Sequence, residues 1–262
     1  MLSKENLEIE IDGAISWIRE YVDNAKVRGV VIGDSGGKDS AVCIALATKA
    51  IGKENVYAIS MPCHSIPTDY DDAKLVADTF GVNFMKVDLT SSYDEMEKEV
   101  DDRLAAGYGS NLSNEAKVNI KPRLRMTTLY GIAQSLGCLV MGTGNMCEIA
   151  VGYTTKWGDS ASDFNPLANF TVDEVLEIGR IIGVPEKITN KAPNDGLGGQ
   201  TDEEKMGLKY SQIADMIEYG SIDDERAKTE ILKRFNNSKH KRNLIPTYKL
   251  KTFERDFRNL EK

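Results

Sequence analysis

Apolar and polar residues alternate along the chain in blocks whose period switches between that of a helix and that of a strand. Within residues 9–22, Ile11, Ile15, Ile18 and Val22 recur at helical spacing and define one apolar face ahead of the first strand. Residues 30–32 form a β-branched apolar run suited to a buried strand, and residues 39–50 fit the helix that follows. A second strand is expected at 56–61 and a helix at 68–80, with Thr68 as its N-cap and acids in its first turn. A third strand at 83–89, an acidic helix around 93–104, a long helix through 118–136 and a fourth strand at 138–141 complete the series. This alternation predicts an α/β fold: a doubly wound, mostly parallel sheet flanked by helices on both faces. Ligands of such sheets gather at the carboxyl ends of the strands. Residues 33–40, 62–68 and 142–148 all emerge there.

The last third differs in character. Residues 151–167 are rich in Gly, Asp, Ser and Thr and read as a long functional loop. A helix is expected at 171–182, capped by Thr171 with Asp173 and Glu174 in its first turn. Residues 190–201 are dense in glycine and proline and read as a mobile loop able to close over a ligand.

Composition narrows the function. A chain of 262 residues can bury a substantial core, and one large domain spanning 1–262 is the simplest reading. The net charge of -8, with no basic stretch longer than Lys239-His240-Lys241-Arg242, argues against nucleic acid as a partner. No segment has the length and apolarity of a membrane span, and the first residues lack the apolar core of a signal peptide, so a cytoplasmic protein is expected. Cys43, Cys63, Cys138 and Cys147 form no CxxC pair and are expected as buried free thiols.

The chemistry begins after the first strand. Residues 33–40 read Gly-Asp-Ser-Gly-Gly-Lys-Asp-Ser, a glycine-rich loop running into a helix N-terminus, which is the layout of a phosphate cradle. Glycines allow close backbone approach, and Ser35 and Ser40 add hydroxyls to the exposed N–H groups. Asp39 would repel a bare phosphate, so its presence fits a divalent cation bridging carboxylate and phosphate oxygens. The loop is not a Walker A motif, because Asp39 follows Gly37-Lys38 and Ile32 stands at the first glycine position. It is not G-x-G-x-x-G either, since Ser35 stands at the second glycine.

The pattern Ser-Gly-Gly-x-Asp-Ser resembles the loop of ATP-dependent synthetases that split ATP into AMP and pyrophosphate. Further blocks extend the resemblance over residues 29–242: 142–148 (Gly-Thr-Gly-Asn-Met-Cys-Glu), 152–159 (Gly-Tyr-Thr-Thr-Lys-Trp-Gly-Asp), Asp163 with Asn165-Pro166-Leu167, 199–204 and His240-Lys241-Arg242. Together they are similar to ammonia-dependent NAD synthetases of the N-type ATP pyrophosphatase family. The resemblance implies an adenine nucleotide alpha-hydrolase-like fold. The implied reaction is ATP-dependent adenylation of deamido-NAD, followed by attack of ammonia to give NAD, AMP and pyrophosphate. It also implies Mg²⁺ on Asp39 and Glu148, and ATP on Gly33, Asp34, Ser35, Gly36, Gly37, Lys38, Asp39, Ser40, Thr143, Lys191 and Thr201. Deamido-NAD would meet Arg123, Lys156, Asp163, His240 and Lys241, and relatives pair as homodimers. Val172 stands where many relatives carry an ATP-contacting lysine. With no amidase segment ahead of the loop, free ammonia is the expected nitrogen donor. Asp159 is expected to help form the ammonia site, since a carboxylate can bind ammonium and accept its proton. Other readings remain open: a GMP synthetase domain or tRNA-modifying ligase with the same loop, or a nucleotide-sensing module without turnover.

Overall fold

The computed structural model describes residues 2–191 and 201–248. Helix α1 (Lys4–Ala25) precedes β1 (Val30–Gly33), α2 (Lys38–Ile51), a 3₁₀ turn (Lys53–Asn55), β2 (Val56–Ser60), α3 (Pro67–Phe80), β3 (Asn83–Lys86), α4 (Thr90–Tyr108), α5 (Asn114–Leu136) and β4 (Leu139–Met141). The strands form one sheet in the order β3-β2-β1-β4, and every pairing is parallel. The chain moves outward from β1 to β2 and β3, then returns to lay β4 on the other side of β1. That reversal opens a crevice beyond the carboxyl ends of β1 and β4, the place where such sheets bind ligands.

β1 and β4 are apolar on both faces because both are covered, whereas the edge strand β3 is largely exposed. Val30 and Ile32 point into a layer with α1, α2 and the later helix α7 (Val172–Ile182), whereas Val31 and Val140 pack with Tyr93 of α4 and Ala133 of α5. Helix α2 is buried along almost its whole length, from Ala41 to Ala47 and again at Ala50, so its first turn cannot drift from β1. Beyond β4, α6 (Met146–Val151), α7, α8 (Glu186–Thr189), α9 (Asp202–Met206), α10 (Tyr210–Tyr219), α11 (Glu225–Asn237) and α12 (Lys239–Arg242) form a helical wall. Its own apolar cluster joins Cys147, Val172, Met206, Tyr210, Ile213 and Ile231.

The expected strands and helices are all present, with several boundaries moved. β3 ends at Lys86 rather than continuing to 89, because Val87 and Leu89 turn to bond the carbonyls of Ser60 and Pro62. α3 starts at Pro67, capped by Ile66 without a side-chain bond, so Thr68 lies inside the helix rather than at its cap. Proline at that position has no N–H to leave unsatisfied. The polar stretch 151–167 is a loop as expected, pinned to β4: Gly142 donates to the Phe164 carbonyl, Asp163 to the Val140 carbonyl, and Phe164 bridges in parallel to Met141. This return covers the outer edge of β4. Thr171 caps α7 as expected, in a reciprocal box with Glu174. Most of the 190–201 loop lies outside the described residues. All four cysteines are buried and unpaired, as expected.

Candidate active site

The crevice at the β1/β4 reversal holds a cavity of about 600 Å³, lined by the glycine loop, the ends of β2 and β4, and residues of α5, α6 and α9. The glycine loop is built by its own polar groups. Gly36 has φ of +71°, and a Cβ there would sit 2.5 Å from the Asp69 carbonyl oxygen, so only glycine fits. Its N–H donates to Asp34 Oδ1 at 3.0 Å, Gly37 N–H to Ser35 Oγ at 3.3 Å, and Ser40 Oγ to the Gly37 carbonyl at 3.0 Å. The Asp34 N–H pins the loop to the Ile59 carbonyl of β2.

Asp34 is not offset by Lys38. Its carboxylate turns inward to the loop, Oδ2 is buried without a hydrogen bond, and burial raises its pKa to about 7. Lys38 instead pairs with Asp39 Oδ2 at 2.8 Å.

The two carboxylates expected to share a metal are joined through Asn145, which sequence reasoning overlooked. Its side-chain amide donates to Asp39 Oδ1 at 3.1 Å, while its backbone N–H donates to Glu148 Oε2 at 3.0 Å. Asn145 caps α6, and its Oδ1 accepts from the Glu148 N–H, closing a capping box. Burial and the nearby Asp39 charge push the Glu148 carboxyl up to about 8. Lys38 lies against the same acids and against Tyr210, whose hydroxyl donates to Asp202 Oδ2, while Tyr153 donates to Asp202 Oδ1 at 3.2 Å. Asp202 was also missed, although it is buried and lines the cavity. Among the described residues no group of three or more His, Cys, Asp and Glu side chains is arranged around one metal position. Two hard carboxylates facing a phosphate loop fit an ion that takes its remaining oxygens from phosphate and water, the habit of Mg²⁺.

Other expected residues fall into two sets. Thr143, Asp159, Lys191 and Lys241 line the cavity with the glycine loop. Asp159 Oδ1 accepts from the Thr155 N–H at 2.8 Å, and the protein packed around its carboxyl raises the pKa. Lys241 Nζ reaches the carbonyls of Gly152 and Thr154, and its pKa is lowered by burial against the pull of Asp159. Lys191 is held by Asp69 at 2.9 Å and Asp72 at 2.7 Å at the start of α3.

Arg123, Lys156, Asp163, Thr201 and His240 are not among the cavity-lining residues. Exposed Arg123 donates to the Lys156 carbonyl at 3.3 Å, and Lys156 lies over Trp157. Asp163 accepts from the Val140 N–H at 2.7 Å and Tyr130 at 3.3 Å, fixing the β4 edge. Thr201 caps α9 in a box with Glu204, and His240 lines a separate shallow depression. The guanidinium that does line the cavity is Arg125, which donates to the Met61 carbonyl and to Ser65 Oγ. Val172 is buried in the helical wall.

A family model described as NAD synthase matches residues 10–257. The chain is 41% identical over 244 residues to an NH(3)-dependent NAD(+) synthetase of Finegoldia magna, covering 93% of this chain and 95% of that protein. It is 44% identical over 223 residues to one from Thermococcus sibiricus, covering 85% and 84%. Among solved structures, an NMN synthetase from Francisella tularensis superposes with a TM-score of 0.85 at 33% identity, over 95% of this chain and 100% of that one.

The buried Asp34 carboxyl gives a pH prediction. Its pKa rises from an ordinary 3.8 to about 7 on folding, so its stability contribution is complete below about pH 4 and is lost as pH rises through 7. Between pH 5 and 8 the parent protein should lose about 2–3 kcal/mol more unfolding free energy than Asp34→Asn. Denaturant titrations at the two pH values check this, and parallel losses in both proteins would refute it.

Proposed function

The chain belongs to the NAD synthase family, and on that premise we propose that it amidates deamido-NAD with ammonia at the expense of ATP. It is a ligase that forms a carbon–nitrogen bond. The observation that carries this reading is the tie through Asn145, which aligns Asp39 with Glu148 beside the phosphate loop at the sheet's reversal.

In this reading the ATP phosphates lie against the glycine loop and on the start of α2, where the helix dipole favours anions. Ser35 and Ser40 offer hydroxyls, and Thr143 faces the nucleotide from the β4 side. Asp39 and Glu148 would hold Mg²⁺, which when bound neutralises charge on the triphosphate. The nicotinate carboxylate of the acceptor attacks the α-phosphorus, and pyrophosphate leaves. Ammonia then attacks the acyl carbon and AMP leaves with the electron pair of the broken bond. Asp159 takes the proton that nitrogen must lose, burial making its carboxylate a stronger base than an exposed one. Lys241 beside it and Arg125 across the cavity supply fixed cations for the acceptor's phosphates.

The F. tularensis structure favours a second reading, in which the acceptor is nicotinate mononucleotide and the product NMN. One assay separates the two: protein, ATP, Mg²⁺ and ammonium are incubated with either acceptor, and AMP, NAD and NMN are resolved by chromatography. NAD and AMP formed with deamido-NAD are expected. Product with the mononucleotide alone selects the second reading, and no AMP with either acceptor refutes both.

Asp159→Asn is expected to raise the KM for ammonium and lower kcat at least tenfold at pH 7.5, with KM for ATP little changed. Unchanged ammonium kinetics in a folded variant would remove Asp159 from the reaction.

We also propose that the protein works as a cytoplasmic homodimer. Arg123, Lys156 and Asp163 are not cavity-lining, and beside Asp163 the exposed rings of Trp17 and Tyr21 pack on Phe164. A second copy covering that aromatic face would bring these residues to an acceptor bound across the boundary. Sedimentation equilibrium should give twice the chain mass, and Trp17→Glu should shift it toward the monomer. A parent protein that sediments as a monomer at micromolar concentration would be decisive against pairing.

A further inference from the structure

The fourth position of Ser-Gly-Gly-x-Asp-Ser is open in the motif, and in this chain it carries a lysine, Lys38. Although it begins a helix, Lys38 is only 6% exposed. Its ammonium lies 2.8 Å from Asp39 Oδ2 and 5.8 Å from the centroid of the Tyr210 ring, within the fields of Glu148 and Asp202. The second Asp39 oxygen, Oδ1, is taken by the Asn145 side chain at 3.1 Å. Both oxygens of this carboxylate therefore have a donor, and one donor is a full positive charge.

Asn145 is fixed by the α6 capping box and cannot withdraw without undoing the Glu148 arrangement. Lys38 is a flexible chain whose head can move. A divalent cation on Asp39 would lie beside the ammonium that Oδ2 holds, and two cations sharing one carboxylate in a largely buried site repel strongly. The triphosphate changes this balance, because its oxygens give the displaced ammonium another partner a short rotation away.

We propose that Lys38 is a built-in competitor for the metal: ammonium and divalent cation exchange at Asp39, so the ion binds weakly alone and strongly with ATP. The inference rests on the reading that Asp39 and Glu148 hold the metal. Its physical consequence is that Mg²⁺ and ATP enter as a unit, with Lys38 passing from carboxylate to phosphate as they do.

The test uses Mn²⁺ as the probe, its binding followed by electron paramagnetic resonance with and without a non-hydrolysable ATP analogue. The parent protein should bind Mn²⁺ at least tenfold more weakly alone than with the analogue. Lys38→Met should tighten binding of Mn²⁺ alone by about tenfold and shrink the gain from the nucleotide. Lys38→Gln provides a polar neutral variant, and circular dichroism melting establishes that each is folded. Equal Mn²⁺ affinity in the parent with and without nucleotide overturns the exchange, as do folded variants that bind Mn²⁺ alone no more tightly. Failure of the underlying site is distinguishable: Mn²⁺ binding to the nucleotide complex that is absent, or indifferent to Glu148→Gln, removes the metal site and the exchange with it.

Discussion

Two like-charged carboxylates held side by side at the mouth of a sheet repel one another, and the answer to that repulsion organises the molecule. Asn145 gives its side-chain amide to Asp39 and its backbone N–H to Glu148, while the buried ammonium of Lys38 balances the charge. Each donor depends on deeper packing. Asn145 is placed by α6, whose Cys147 and Val151 are buried in the helical wall. Lys38 and Asp39 are placed by α2, the most completely buried helix of the fold. The polar tie is thus an extension of the core rather than a surface contact.

The glycine loop follows the same logic. Its turn is closed by Asp34, a carboxylate withdrawn from water at a cost to its ionisation. Such a group is tolerated because the loop is fixed at both ends, by β1 on one side and the first turn of α2 on the other. Local strain of this sort collects where backbone N–H groups must stay aimed at a ligand. The Lys191 pairs with Asp69 and Asp72 extend the fixed region to α3, whose first turn abuts Gly36.

Much of this was legible in the sequence wherever the signal was local. The strand, glycine loop and helix of residues 30–50 announce themselves by β-branching, glycine and a charged first turn, and the alternation of elements is enough to imply parallel pairing. Asn145 was hidden in plain sight: Asn-x-x-Glu over residues 145–148 is a capping signal, but nothing local says that the cap also reaches Asp39, 106 positions away. Arg123 and Arg125 illustrate a different limit. Two positions along a helix turn a side chain by about 200°, so one guanidinium lines the cavity and the other does not, and composition cannot say which. The stretch 151–167 reads as loop because its polar residues bond backbone rather than core, and pairing with β4 depends on a partner distant in sequence. Asp202 was missed because its two tyrosine partners, Tyr153 and Tyr210, come from the loop after α6 and from the start of α10.

The four sulfur atoms are shared among the three apolar compartments: Cys43 in the first, Cys63 and Cys138 in the second, Cys147 in the third. Cys43 and Cys147 each stand apart from the other thiols in their own compartment, and all four are buried, so alkylation is slow until the surrounding layer opens. The chain thereby carries a native reporter in every layer. The order in which these thiols become reactive under mild denaturant would map which part of the molecule loosens first, with no label added.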